Sequence, residues 1–222
     1  MRKFKLKYEH SFVALSILLI PVLTIIFGTM APPSEFTFSK IGNHFDARLE
    51  FIIWGTVTAL LFTFYILHLF KLGAFFNKRA RWMVIRSGIF LILTVLIPAV
   101  DELWPFLNKL HTICGGIFAL TLIISVYYLI RYLRIFNKSL YSLSFFLLMT
   151  VVGGSLVLRL IFGNSGIYEL FFFISMSIVL FILEILIKKN RQKLQCRIDN
   201  LKKNIKQKNG KHNKEISIQR RS

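Results

Sequence analysis

Acidic residues are scarce in this chain: only 10 of its 222 residues are Asp or Glu, against 29 Lys and Arg. Charged residues of both signs make up 18% of the sequence, whereas 55% of it is hydrophobic. A soluble domain usually carries about 25% charged residues. The apolar excess has to face something other than water, which excludes an ordinary soluble domain.

Cysteine is also rare, and the motifs of common enzyme classes are missing. Cys114 lies in an apolar run and Cys196 in a basic segment, so no disulfide between them is expected. The sequence has no phosphate-binding glycine loop, no Gly-x-Ser-x-Gly element, no His-Glu-x-x-His element and no matched pair of interrupted helices. It therefore names no reaction, assigns no catalytic residue and predicts no cofactor.

Six long apolar runs dominate what is present. A helix needs roughly 20 apolar residues to cross the apolar core of a bilayer. The runs extend over about Phe12–Met30, Phe51–Leu72, Val84–Val100, Thr112–Ile130, Leu140–Phe162 and Ile167–Ile187. The first resembles a signal peptide, but its length favours a retained span. Because none shows the alternation of a barrel strand, the predicted fold is an all-α polytopic membrane helix bundle with about six transmembrane helices.

The basic residues are distributed unevenly between the two sides of the predicted bundle. Counting along the connections, 25 of the 29 Lys and Arg fall on the side of both termini, and four fall on the other. Short basic connections stay in the cytoplasm. Both termini are therefore predicted to be cytoplasmic, and the net charge of +19 is interpreted as membrane-orienting charge instead of a nucleic-acid footprint. Richness in Lys, Ile, Phe and Asn is typical of a bacterial protein, so the expected location is the cytoplasmic membrane.

Two regions follow from this pattern: a six-span domain over residues 1–187 and a basic cytoplasmic tail over residues 188–222. The first half of the tail has helical apolar spacing, and the remainder, after Asn209-Gly210, is predicted to be disordered. Basic tails next to a membrane helix attract anionic lipids. The predicted headgroup-binding residues are Lys188, Lys189, Arg191, Lys202, Lys203 and Lys206. A protein partner or a second copy of the chain stays an open alternative.

Polar residues gather at the predicted external face. The candidate cluster comprises His44, Asp46, Asp101, Glu102, His111, Arg159 and Glu169. Histidines and carboxylates are zinc ligands, which makes His44, Asp46 and His111 candidates for a metal site. No recognised ligand spacing joins them, so a solvated, hydrogen-bonded mouth is the alternative.

Arg159 lies about one turn inside an otherwise apolar span. An unpaired charge in the middle of a membrane costs on the order of 3 kcal/mol, so this residue needs a partner or a route to water. Glu169 follows a short turn, which predicts that the two charges lie near one another. The alternative is that Arg159 reaches a lipid phosphate.

Small and polar residues elsewhere in the spans predict contacts between helices. Gly115 and Gly116 in the fourth span, and Gly153 and Gly154 in the fifth, allow close helix approach. His68 and Glu184 are interpreted as structural polar contacts rather than as a proton relay.

The layout resembles the DRAM-like group of six-span membrane proteins and related bacterial families. The resemblance rests on the first external loop, with Phe36-Thr37-Phe38-Ser39-Lys40-Ile41-Gly42, on the second span, which begins Phe51-Ile52-Ile53-Trp54-Gly55, and on His111 at the fourth. It implies a six-span bundle concerned with membrane trafficking or lipid handling, and it assigns no catalytic residue.

Three functional hypotheses remain. The first is a lipid- or envelope-associated membrane protein or partner-binding subunit without enzymatic activity. The second is a metal-dependent hydrolase or transferase at the outer face. The third is a small transporter or a transporter subunit.

Overall fold

The computed structural model describes residues 17–100, 104–135 and 137–191, except for the side chain of His44. Within these ranges the chain is all-helical and has no strand. The helices are α1 (Ile17–Gly28), α2 (Phe38–His44), α3 (Arg48–Leu72), α4 (Lys78–Leu96), α5 (Pro105–Leu133), α6 (Lys138–Phe162) and α7 (Gly166–Arg191). The predicted all-α class is confirmed for this part of the chain.

Four helices, α3, α5, α6 and α7, are long and apolar enough to cross a membrane, and the protein is therefore a membrane protein. The other two predicted spans fall on shorter or more polar helices. The described part of α1 is a shorter apolar helix. Helix α4 has 19 residues and carries Lys78, Arg79, Arg81 and Arg86.

Several helix boundaries differ from the predicted ones, and proline explains two of them. The third span was expected to reach Val100, but α4 ends at Leu96 and Ile97 is extended, with φ −79° and ψ 122°. A residue before proline is disfavoured in helical conformation, and Pro98 follows. Helix α5 begins at Pro105 instead of Thr112 because proline suits the first helical position. His111 consequently lies inside a helix and not at its mouth.

The segment predicted as a long external loop contains the short helix α2. The Thr37 hydroxyl accepts a hydrogen bond from the Lys40 amide at 3.2 Å and so caps the helix start. Phe38 and Ile41, three residues apart, are buried. Helix α2 therefore packs onto the bundle through one apolar face.

Helix α3 forms the centre of the packed core. The Trp54 ring centroid lies 4.8 Å from that of Phe38 and 5.0 Å from that of Phe173. The indole N–H of Trp54 donates to the Thr24 hydroxyl at 3.3 Å. One residue on, a Cβ added to Gly55 would lie 2.1 Å from Val95 Cγ1. Helices α1, α3, α4 and α7 thus meet around one aromatic cluster.

The compact unit that contains these contacts ends at Glu184, and helix α7 continues to Arg191. Three of the predicted headgroup-binding residues, Lys188, Lys189 and Arg191, belong to the end of this helix. Lys202, Lys203 and Lys206 lie outside the described residues. The lipid-binding tail therefore stays a prediction.

Candidate functional site

A cavity of about 550 Å³ lies at the end of the bundle next to α2. Its walls come from the starts of α2, α3, α5 and α7 and from the ends of α4 and α6. One part of its lining is aromatic, with Phe51, Trp54, Phe118, Phe172 and Phe173. Another part is polar, with Lys40, His111, Arg159, Tyr168 and Glu169. This space, named here the α2-side cavity, is therefore amphipathic.

Glu169 connects α7 to α2 at the cavity wall. Its Oε2 accepts a hydrogen bond from the Phe38 amide at 2.7 Å, and its Oε1 accepts one from the Tyr168 hydroxyl at 3.4 Å. The carboxylate lies at the first amide of α2, where the peptide dipole favours negative charge. Glu169 thereby fixes α2 beside the cavity.

Arg159 lies across the turn between α6 and α7. Its guanidinium carbon is 5.4 Å from the centroid of the Tyr168 ring. No nitrogen of Arg159 comes within 4.0 Å of a Glu169 oxygen in the described structure. Arg159 and Glu169 line the same cavity, and Tyr168 contacts both. The arginine is exposed, so its charge is available to a molecule in the cavity.

His111 is buried and held by the end of α4. Its Nδ1 lies 2.7 Å from the Thr94 carbonyl oxygen and 3.2 Å from that of Ile97. Carbonyls only accept, so Nδ1 carries the proton and donates to them. The ring lines the cavity, and Nε2 makes no hydrogen bond within the described residues. His111 therefore presents a ring nitrogen with a fixed orientation.

Arg48 also binds the end of α4. Its Nη2 donates to the Leu96 carbonyl at 2.7 Å, and its Nη1 donates to Asn43 Oδ1 at 3.1 Å. The last carbonyls of a helix have no partner within the helix. Arg48 and His111 supply partners for three carbonyls at the end of α4. The sequence does not predict this role of Arg48, because the position of Leu96 relative to it cannot be read from the sequence.

The predicted polar cluster is brought together only in part. Arg159, Glu169 and His111 line the cavity, whereas the exposed Asp46 does not. The side chain of His44 and all of Asp101 and Glu102 lie outside the described residues. Within the described part, no group of three or more His, Cys, Asp or Glu could hold a metal ion. The metal site proposed from His44, Asp46 and His111 stays a prediction.

The glycines of α5 and α6 have different roles from the predicted helix contacts. A Cβ added to Gly116 would meet nothing within 4 Å, and this residue borders the cavity. Gly153 also has open space around it. Gly154 approaches another helix closely, with an added Cβ 2.6 Å from the Phe171 ring, and a Cβ added to Gly115 would be in ordinary contact with Thr94 of α4, at 3.6 Å. Gly116 therefore leaves space for the cavity instead of closing a contact.

Helix α6 covers the cavity incompletely. Its buried residues are Leu140, Ser144, Leu148 and Val151, and none follows Val151. Beyond that point Leu156, which lines the cavity, is 59% exposed, and Leu160 is 85% exposed. On α5, the cavity-lining Thr112 and Gly116 are exposed as well. The cavity is therefore open between α5 and the second half of α6.

Sequence reasoning missed Tyr168 and the aromatic part of the lining. Tyr168 adjoins Glu169 and follows the turn after Arg159, so its position in the sequence could have identified it as a residue of the site. The aromatic part of the lining could not be identified in this way, because the chain contains 23 Phe residues.

At the other end of the bundle, the buried Tyr65 hydroxyl donates to Oε2 of the buried Glu184. This contact joins α3 to α7. His68 and Glu184 do not line the α2-side cavity.

No family model, no curated protein and no solved structure matches this chain. The resemblance to the DRAM-like group stays a prediction, and the functional argument rests on the cavity.

Proposed function

We propose that this chain is a six-span protein of the bacterial cytoplasmic membrane, with both termini in the cytoplasm, that binds a lipid or a lipid-like envelope molecule in the α2-side cavity. The six apolar runs and the 25-to-4 distribution of Lys and Arg support the topology. In this orientation the cavity opens at the outer half of the membrane. The lining of the cavity is the observation that carries the binding proposal.

The cavity has the size and the composition of a small-molecule site. Ligand pockets are typically about 300 to 1,000 Å³ and mainly apolar, with a few polar groups that orient the ligand. Here the aromatic lining offers an apolar surface to acyl chains, and the exposed Arg159 offers a positive charge. A negatively charged headgroup beside Arg159 would lower the cost of that charge at the edge of a membrane span.

The opening between α5 and α6 supplies a route from the membrane. A ligand with long apolar chains need not leave the bilayer if it enters sideways between two spans. The exposed residues of α6 after Val151 face this route, and Gly116 leaves it unobstructed on α5. This arrangement favours a membrane lipid over a water-soluble solute.

The test is photo-crosslinking of full-length protein in nanodiscs that contain a photoreactive anionic phospholipid, with adducts mapped by peptide mass spectrometry. Adducts are expected on the lining segments of α5 and α6. Gly116→Leu should place its side chain in the cavity and reduce these adducts on the order of tenfold. Gly153→Leu is the matched control, since that glycine also has open space but does not line the cavity.

Arg159→Gln should lower the yield with the anionic lipid about fivefold or more, the effect of losing roughly 1 kcal/mol of charge attraction. Lys109→Gln, an exposed cation of α5 that does not line the cavity, should leave the yield unchanged. Equal adduct yields in the Gly116 and Gly153 variants would show that lipid does not occupy the cavity.

Orientation is tested separately with single cysteines in a background where Cys114 and Cys196 are replaced by serine. Asn43→Cys should react with an impermeant thiol reagent in sealed cells, and Lys78→Cys should not. Labelling of the second variant alone would reverse the topology.

His111 supports a second candidate function, a metal-dependent hydrolase or transferase acting on the same kind of molecule. Its Nδ1 is held by two carbonyls, which is how a histidine is oriented as a metal ligand or general base. Metal analysis of the purified protein, followed by lipid turnover assays with added Zn²⁺, separates this candidate from binding alone. For a hydrolase or transferase, His111→Gln should abolish turnover and leave the lipid adducts in place.

A further inference from the structure

A second concave surface lies where α5 ends, α6 begins and the connection from α3 to α4 passes by. We name it the basic groove. Its cations are Arg131, Arg134 and Lys138, and its aromatic residues are Phe75, Tyr128 and Tyr132. The α2-side cavity lies toward the other ends of α5 and α6, so the two sites are separate.

The charges of the groove are not balanced by acidic residues. The described lining contains three cations and no carboxylate, and no carboxylate of the described residues lies within 4.0 Å of these cations. Helices α4 and α6 both begin here, and neither has an acidic residue in its first turn. The positive ends of two helices therefore add to the positive potential of the groove.

The cations of the groove come from two helices, the end of α5 and the start of α6. Arg131 and Arg134 at the end of α5 interact favourably with the negative end of its dipole. Lys138 is the first residue of α6, where the dipole repels a cation. All three cations line the same groove, so one bound anion would interact with each of them.

The aromatic wall is held in place by its own contacts. The Tyr132 ring lies 5.0 Å from that of Phe75, and its hydroxyl donates to the Ala74 carbonyl at 3.2 Å. The guanidinium carbon of Arg134 lies 5.6 Å from the Tyr141 ring centroid. Tyrosine rings are enriched where a span leaves the apolar core and meets the headgroups. The two tyrosines of the groove are typical of the headgroup level of a membrane.

We infer that the basic groove binds the phosphate of an anionic phospholipid from the leaflet opposite to the α2-side cavity. The three cations would hold the phosphate. Ile135, which lines the groove and is 77% exposed, would lie against the first methylene groups of the acyl chains. An exposed apolar side chain beside three cations suits a lipid better than a free phosphate. This inference does not depend on what the α2-side cavity binds.

The experiment uses full-length protein in nanodiscs with photoreactive phosphatidylglycerol, and adducts on the peptide that contains Tyr128 and Tyr132 are quantified. The triple variant Arg131→Gln, Arg134→Gln, Lys138→Gln should lose these adducts by at least about tenfold, since each cation near the surface contributes roughly fivefold. The control Lys78→Gln, Arg79→Gln, Arg81→Gln removes the same charge from exposed positions of α4 that do not line the groove, and its loss of yield should be several times smaller than that of the first variant.

Three outcomes would overturn the inference: equal losses in the two triple variants, equal labelling by photoreactive phosphatidylcholine, or full competition by inorganic phosphate. The first would assign the effect to general surface charge. The second would remove the anionic selectivity, and the third would indicate a site for free phosphate. Adducts on peptides outside the groove serve as an internal reference, because they should be the same in both triple variants.

Discussion

Helices α3 and α6 have the same length and very different surroundings. Each has 25 residues, and each is long and apolar enough to cross a membrane. Helix α3 buries 11 of its residues in the protein, whereas α6 buries four, all of them before Val152. Apolar composition makes a helix compatible with the bilayer, but it does not decide whether a side chain packs against protein or lipid.

The burial of α3 and the exposure of α6 affect the stability of the bundle and the space available for a ligand. Lipid tails are as apolar as a leucine side chain, so a residue that faces them gains little from burial in the protein. Residues of α3 stabilise the bundle through close packing, whereas the second half of α6 is free to border a cavity. The following predictions compare matched positions on the two sides of the bundle.

The largest expected effect comes from truncating a core aromatic residue. Phe62 of α3 is 1% exposed and its ring stacks on Phe173, while Phe146 of α6 is 66% exposed. Phe62→Ala should lower the free energy of unfolding by about 3 kcal/mol, because it leaves a void. Phe146→Ala should change it by less than about 0.5 kcal/mol. Reversible unfolding in mixed micelles measures both, and equal losses would mean that α6 is packed as tightly as α3.

Replacing a glycine by alanine should change the free energy of unfolding by less than the loss of Phe62, and the change should have opposite signs in α3 and α6. Gly55→Ala forces a Cβ against Val95 and should destabilise the protein by about 1 to 3 kcal/mol. Gly153→Ala meets nothing within 4 Å and should be neutral or stabilising by up to about 1 kcal/mol, because alanine favours the helix. The same unfolding measurement applies. A destabilising Gly153→Ala would place another helix against this face of α6.

The smallest expected effect concerns a buried hydroxyl. Thr58 of α3 is fully buried, and its Oγ1 has no hydrogen-bond partner among the described residues. Thr58→Val keeps the shape and removes an unsatisfied polar group, so it should stabilise the protein by about 1 kcal/mol. Thr150 of α6 donates to the Phe146 carbonyl of its own helix and is exposed, and Thr150→Val should be nearly neutral. A destabilising Thr58→Val would indicate that the hydroxyl has a partner after all.

Much of the fold could be predicted because membrane helices obey simple local rules. Within the described residues, each of the six apolar runs overlaps a helix, as expected because backbone groups inside a membrane must bond within their own segment. The residues at which the helices end were harder to predict. Pro98 and Pro105 moved two of them by several residues, and α2 was missed because seven residues with two buried side chains leave a weak pattern.

The candidate site was predictable only where an unusual residue marked it. A charge inside an apolar span drew attention to Arg159, and the short turn to Glu169 followed from it. The same reasoning placed Asp46 in the cluster, but its side chain is exposed and does not line the cavity. Residues predicted to lie at the same membrane face therefore need not line the same cavity.

The sequence by itself determined that this protein is helical and resides in a membrane, because length and apolarity of a segment are enough to specify a membrane helix. The tertiary structure decided which apolar faces meet each other and which border a cavity. Gly55 and Gly116 look alike in the sequence, yet one lies against Val95 and the other has open space. The reason is that packing depends on the shape of the neighbouring helix, which no local pattern encodes.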